Sequence, residues 1–161
     1  YLLHGLGEDR LGGAKIGYLD SLVKLKAIGK VGDKYNVQLS AHRRAWIEEE
    51  HITVLPQPVF TPASLTGNMQ AWGDSLYDYV SLSLTERLPW QSFQEVSPNR
   101  IVVDVFGATS NTNWIIQQQS LKAIKQVHYQ QLEDGLFRII LELRNRGSAV
   151  GVAPSRVNQG S

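Results

Sequence analysis

The amino-acid sequence predicts a mainly β chain, a small barrel followed by a β-sandwich. Three observations carry that expectation. The runs 80–84, 101–106 and 137–143 either alternate apolar and polar residues or are apolar throughout, as half-buried and doubly buried strands do. Turn-forming pairs, Gly32-Asp33, Pro98-Asn99 and Asp134-Gly135, lie beside the strand-like runs. Pro56, Pro58 and Pro62 crowd into one short stretch. Proline fixes φ and lacks an amide donor, so that stretch reads as a stiff connector between two units.

The predicted first unit spans residues 1–56. Gly12, Gly13 and Gly17 punctuate its start, and Val23-Lys24-Leu25-Lys26 alternates at the strand period of two. Tyr35, Val37 and Leu39 alternate with Asn36 and Gln38 on the other side of the Gly32-Asp33 turn, a hairpin signal. Ala45-Trp46-Ile47 and Ile52-Thr53-Val54-Leu55 are read as the closing strands. Short strands with polar turns between them suit a small barrel. Residues 57–67 form the Pro-rich linker.

The second unit spans 68–146. Val80, Leu82 and Leu84 face one way, and Ser81, Ser83 and Thr85 the other. Residues 90–96 are expected to pair with that strand. Residues 101–106 read as a strand covered on both faces, ended by Gly107. Between Asn111 and Lys125, Trp114, Ile115, Leu121 and Ile124 suit either a short helix or a packed loop. Val127 and Tyr129 alternate, Asp134-Gly135 turns the chain, and Phe137, Ile139, Leu141 and Leu143 share the inner face of the last strand. Residues 147–161 lose all periodicity and read as a tail or linker.

Composition bounds the function. With 161 residues, the chain holds one ordinary domain or two small ones. Hydrophobic residues at 42% and charged residues at 19% suit a globular fold rather than a disordered tail. Each unit lies near the lower size limit for an independent core, and 14 aromatic side chains (4 Trp, 6 Tyr, 4 Phe) supply the packing. A net charge of +1 gives no reason to expect nucleic acid as a partner. The lack of cysteine excludes disulfides, thiol catalysis and cysteine-based zinc sites. No run approaches the roughly 20 apolar residues that would make a transmembrane segment. The chain starts at Tyr1 without Met or a visible signal peptide, and reads as a piece of something longer.

No self-contained active site emerges. None of His4, His42, His51 and His128 has a partner at the i, i+4 spacing of a helical zinc site. Glu48-Glu49-Glu50-His51 is the one acid-rich stretch beside a histidine. On a strand at most two of those side chains would converge, so it reads as a solvated turn. No Gly-x-Ser-x-Gly elbow occurs, and the glycines of 5–13 make no phosphate loop. Asp104, inside an apolar strand, needs hydrogen bonds or an ion pair to be buried. Arg100, Arg138 or backbone N–H groups are the expected partners, and a structural role outweighs a catalytic one. The aromatics Tyr18, Tyr35, Trp46, Trp72, Tyr77, Tyr79, Trp90 and Trp114 are too many for two small cores, so some should be exposed, where such rings stack on sugars.

Two stretches carry a family resemblance. Leu11-Gly12-Gly13-Ala14-Lys15-Ile16-Gly17-Tyr18-Leu19, the hairpin Val31-Gly32-Asp33-Lys34-Tyr35-Asn36-Val37-Gln38-Leu39 and Ala45-Trp46-Ile47 resemble a bacterial SH3-like (SH3b) domain, with Ala45 where that family commonly has glycine. Asn99-Arg100-Ile101-Val102-Val103-Asp104-Val105-Phe106-Gly107, then 124–129, then Asp134-Gly135-Leu136-Phe137-Arg138-Ile139-Ile140-Leu141-Glu142-Leu143 resemble an AMIN-type β-sandwich. Together they are similar to the N-terminal region of bacterial N-acetylmuramoyl-L-alanine amidases.

That resemblance implies a non-catalytic region that targets the cell-wall peptidoglycan, in the periplasm or cell envelope. It implies no catalytic residue here and no cofactor. Zinc, held by two His and a Glu, is expected in a catalytic domain absent from this sequence. The implied partners are peptidoglycan or muropeptides, through Tyr18, Arg43 and Trp46 on the first unit and Trp90 and Trp114 on the second. The alternative is a module that docks an envelope or cell-division protein through a sheet edge or groove.

Overall fold

A computed structural model describes residues 2–3, 15–17, 19, 21–57, 63–111 and 116–144. Fourteen strands and one 3-10 turn follow one another among them. In chain order they are β1 (Leu2–Leu3), β2 (Lys15–Gly17), β3 (Lys26–Val31), β4 (Lys34–Gln38) and β5 (Arg44–Glu48), then a 3-10 turn (Glu49–His51). Next come β6 (Ser64–Leu65), β7 (Met69–Gly73), β8 (Asp78–Leu82), β9 (Trp90–Val96), β10 (Asn99–Phe106) and β11 (Ala108–Thr109). The last are β12 (Gln117–Gln119), β13 (Ile124–Glu133) and β14 (Leu136–Leu143). The mainly β expectation holds.

The N-terminal strands make one sheet in the order β2-β1-β5-β4-β3. The β3–β4 hairpin turns at Gly32-Asp33, with Gly32 at φ +58°, a conformation glycine adopts without steric cost. Val37, Ala45 and Ile47 point to one face and are buried.

The sheet is open: among the described residues β2 and β3, its two edges, do not pair, so the expected barrel is not closed. Neither run at its ends contributes as expected. The strand at Lys26 begins where Val23-Lys24-Leu25-Lys26 ends, and Ile52-Thr53-Val54-Leu55 is not a strand. The 3-10 turn redirects the chain there and leaves Val54 and Leu55 exposed. The apolar face is covered from elsewhere instead. Phe106 of β10 and Leu136 of β14, each 2% exposed, complete its core with Val37, Leu39, Ala45 and Ile47.

Three further sheets follow the connector. The largest runs β13-β14-β10-β9, antiparallel throughout. A three-stranded sheet runs β12-β7-β8, with β12 parallel to β7 and β8 antiparallel to it. Ser64–Leu65, inside the Pro-rich stretch, pairs in parallel with Ala108–Thr109. Met69 and Ala71 of β7 meet Ile101, Val105, Val127, Phe137, Ile139, Leu141 and Leu143 of the large sheet in one core, with Val80, Leu82, Leu84 and Val103 packed against it. The period-two expectation for 80–84 and 137–143 therefore placed the inner faces correctly.

Two pairings differ from expectation. Residues 90–96 pair with β10 rather than with β8, because the Ser97-Pro98 turn folds β9 directly onto β10 while β7 occupies β8. Gln117–Gln119, in the stretch open between helix and loop, is a short strand on β7. The predicted tail, 147–161, lies outside the described residues.

The two units also meet through polar contacts at the β13–β14 turn. The Ala41 amide donates to the Asp134 carbonyl at 2.9 Å, Ser40 Oγ donates to Glu133 Oε1 at 2.7 Å, and His42 Nδ1 faces Glu133 Oε2. These contacts surround the Phe106–Leu136 plug. Replacing Phe106 by Ala should cost about 3–5 kcal/mol in urea unfolding, the usual cost of deleting a buried phenyl ring. A loss below about 1 kcal/mol would show that the units do not share this core.

Candidate functional site

The outer face of the sheet β12-β7-β8 carries a group of exposed aromatic side chains. Its display follows from register. Met69 and Ala71 are drawn into the core, each 1% exposed, so the period of two turns Gln70 and Trp72 outward. On β8, Tyr79 lies opposite Trp72, and Ser81 opposite Gln70. On β12, Gln119 shares the register of Trp72.

The rings form a stack. Trp72 and Tyr79 lie 5.5 Å apart between centroids at 19°, and Tyr77 meets Tyr79 edge-on at 6.3 Å. Such pairs contribute about 0.5–1.5 kcal/mol beyond the area they bury. Trp72 still leaves 39% of its surface in solvent, and Tyr77 64%. With Tyr79 against one side of the indole, the other ring face lies on the β12 side, where Gln119 stands. This is an aromatic surface edged by carboxamides and a hydroxyl.

Two carboxylates hold it in place. Asp74 accepts hydrogen bonds from the amides of Leu76 and Tyr77, both at 2.7 Å, and from Tyr79 Oη at 2.9 Å. Those donors, the Tyr77 amide foremost, hold the Asp74 carboxyl below its ordinary 3.8, and the bond to Asp74 raises the Tyr79 hydroxyl above its ordinary 10.0. Asp78 accepts from the amides of Lys122, Ala123 and Ile124 at 2.8–3.1 Å, which ties the segment after β12 to β8. Only glycine fits at 73: a Cβ there would lie 2.3 Å from the Ser120 carbonyl oxygen.

Of the residues expected to bind, Arg43, Trp46 and Trp90 lie among the described residues. Arg43 is exposed in the loop beside Glu133, where its charge helps hold that carboxyl below its ordinary 4.5, after the larger effects of Ser40 and His42. Trp46 lies on β5 opposite Asn36, on the sheet face away from Ala45 and Ile47. Trp90 packs against the large core from the start of β9. Tyr18 and Trp114 lie outside the described residues. Sequence reasoning had Trp72, Tyr77 and Tyr79 among its surplus aromatics but no means to pair them. The signal available was period two across 69–73 and 78–82, which places Trp72 and Tyr79 on outer faces.

Asp104 has its partners. It is fully buried, and Arg138 donates to it through Nε at 2.7 Å and a terminal nitrogen at 3.0 Å, while Gln91 Nε2 adds a third bond at 3.0 Å. The carboxylate raises the Arg138 guanidinium above its ordinary range, chiefly by hydrogen bonding. Arg138 also lies over the Phe93 ring, 5.7 Å from its centroid. All four side chains belong to the outer face of the large sheet, where they form a paired, structural set.

One group of metal-ligand type occurs among the described residues. The 3-10 turn brings Glu48, Glu50 and His51 within 4.8 Å of one another, so three side chains converge where a continuing strand would have allowed two. Glu50 and His51 are exposed and Glu48 is half-buried, one His with two carboxylates. One His and two Glu do not match the ligand set of two His and a Glu.

The sheet β12-β7-β8 thus carries a stacked aromatic pair on its outer side, edged by Gln70, Ser81 and Gln119. The chain belongs to the AMIN domain family, whose model matches residues 68–159. Domains of this family are peptidoglycan-associated targeting modules and occur in amidases and other peptidoglycan-related proteins. No curated protein and no solved structure matches the chain.

Two outcomes test this geometry. Arg138→Met would leave Asp104 buried without its cation and should cost about 3–5 kcal/mol in urea unfolding; a neutral result would mean that water reaches Asp104. The Asp74 carboxyl titrates below its ordinary value, so its hold on the β7–β8 turn is complete above pH 3.8 and fades as pH falls through its lowered value. Amide exchange at Leu76 and Tyr77, corrected for intrinsic rates, should stay protected down to pH 4 and lose protection only in stronger acid, whereas Asp74→Ala, which removes the acceptor, should lose it throughout.

Proposed function

We propose that this chain is a non-catalytic peptidoglycan-targeting region of an N-acetylmuramoyl-L-alanine amidase, acting in the periplasm or cell envelope. Family membership supports wall association, and the exposed Trp72–Tyr79 stack is the observation that gives the association a surface. In this reading the N-terminal unit is an SH3-like domain, and the second unit, from residue 68 onward, is an AMIN-type sandwich. Bond cleavage belongs to a zinc-dependent domain elsewhere in the protein, and these units raise the local concentration of that domain at the wall. A weak module joined by a short linker gives effective concentrations of roughly millimolar order.

A second reading has one specific observation behind it. Leu76 is 78% exposed beside Tyr77 at the tip of the β7–β8 hairpin, an apolar pair suited to docking an envelope protein.

Co-sedimentation with purified peptidoglycan sacculi tests both. Wall attachment predicts retention of the full chain, weakened about three- to tenfold by Trp72→Ala, the equivalent of one lost aromatic contact, and little changed by Leu76→Ser. If sacculi fail to retain the chain, the wall reading is wrong and the docking reading takes its place.

A further inference from the structure

We infer that the Trp72–Tyr79 face binds the neutral N-acetylated glycan strand of the wall polymer and not its carboxylate-bearing stem peptides. The inference rests on the wall-attachment reading and adds the chemical class of ligand. Its basis is the chemistry that register places on this face.

A pyranose ring presents an apolar C–H face and an equatorial rim of hydroxyl and acetamido groups. The first needs an open aromatic ring, and the second needs groups that both donate and accept. Trp72 supplies the ring, with 39% of its surface free. Gln70, Gln119 and Ser81 supply the rim at matching register, Gln70 opposite Ser81 and Gln119 beside Trp72. A carboxamide donates through its nitrogen and accepts through its oxygen, so two of them suit an acetamido group in either orientation. Gln70 and Trp72 lie two residues apart on one face, about 7 Å along the strand, the scale of one substituted sugar ring.

Charge excludes the other half of the polymer. Stem peptides carry carboxylates, and their recognition calls for arginine or lysine forks. The outward residues Gln70, Trp72, Tyr79, Ser81 and Gln119 include no cation. At the margin stands Asp74, with Lys122 as the cation whose charge reaches it. One carboxylate against one ammonium leaves no surplus positive charge at the rim to hold an anionic peptide, whereas a neutral sugar needs none.

The test uses the full chain and four immobilised or soluble probes: intact sacculi, glycan strands stripped of their peptides with the freed lactyl carboxyls capped as amides so that the strand stays neutral, a soluble N-acetylglucosamine tetramer, and the free stem pentapeptide. Retention on stripped glycan should match that on intact sacculi. A soluble N-acetylglucosamine tetramer should shift the indole N–H resonance of Trp72 and the side-chain amides of Gln70 and Gln119, whereas the pentapeptide should leave them in place. Trp72→Ala should weaken retention on stripped glycan about three- to tenfold. Gln119→Ala, on an exposed edge strand where folding is not at stake, should weaken it severalfold. Val96→Ser, an exposed change on the other sheet, should leave it unaltered. Binding to intact sacculi without binding to stripped glycan would overturn the inference and leave wall attachment standing. Failure on intact sacculi would remove the wall reading itself, and this inference with it.

Discussion

β10 is the element on which the rest depends. It is hydrogen-bonded on both edges, to β9 and β14, and its side chains serve two cores at once. Ile101, Val103 and Val105 point to the core shared with the β12-β7-β8 sheet. Phe106, one position on and therefore on the opposite face, enters the core of the N-terminal sheet. A strand with both faces apolar has no solvated side, so neighbours must cover each face. The open N-terminal sheet and the three-stranded sheet do so from opposite directions.

That constraint explains how the N-terminal sheet, unclosed among the described residues, buries its apolar face. A sheet with one apolar face must bury it, either by closing on itself or against a neighbour. Here Phe106 and Leu136 occupy the space that a closed wall would have enclosed, and the Ser40–Glu133 and Ala41–Asp134 contacts hold them in register. The buried Asp104–Arg138–Gln91 group sits on the same face of the same strand system. Its polar demands are met entirely by side chains on adjacent strands, which lets a carboxylate lie in a strand that is otherwise apolar.

The aromatic face is the far consequence of the same packing. Met69 and Ala71 commit the inner side of β7 to the core, and alternation then leaves Gln70 and Trp72 no inward option. The tight approach of Gly73 to Ser120, together with the three amides gathered by Asp78, sets the segment that follows β12 beside β7 and β8. A scaffold built this way presents ring and amide groups at small entropic cost, because their backbones are fixed before any ligand arrives.

Much of this was legible in the sequence. Alternation along 80–84 and 137–143, the apolar run 101–106 and the Gly32-Asp33 and Asp134-Gly135 turns are local signals, and each marked a strand face or hairpin that the fold contains. Asp104 announced its need for a partner, although three candidates stood open. The unclosed N-terminal sheet, the partner of β9 and the Trp72–Tyr79 stack were not legible, since each depends on which strand lies beside which. Trp46 and Trp90 looked as eligible as Trp72, because a tryptophan's sequence neighbours do not reveal what covers it. Local periodicity, then, determined that this chain is built of strands and which way their side chains point. Tertiary structure alone decided that Phe106 would close a neighbouring sheet and that Trp72 would meet Tyr79, because cross-strand contacts join residues by register and not by distance along the chain.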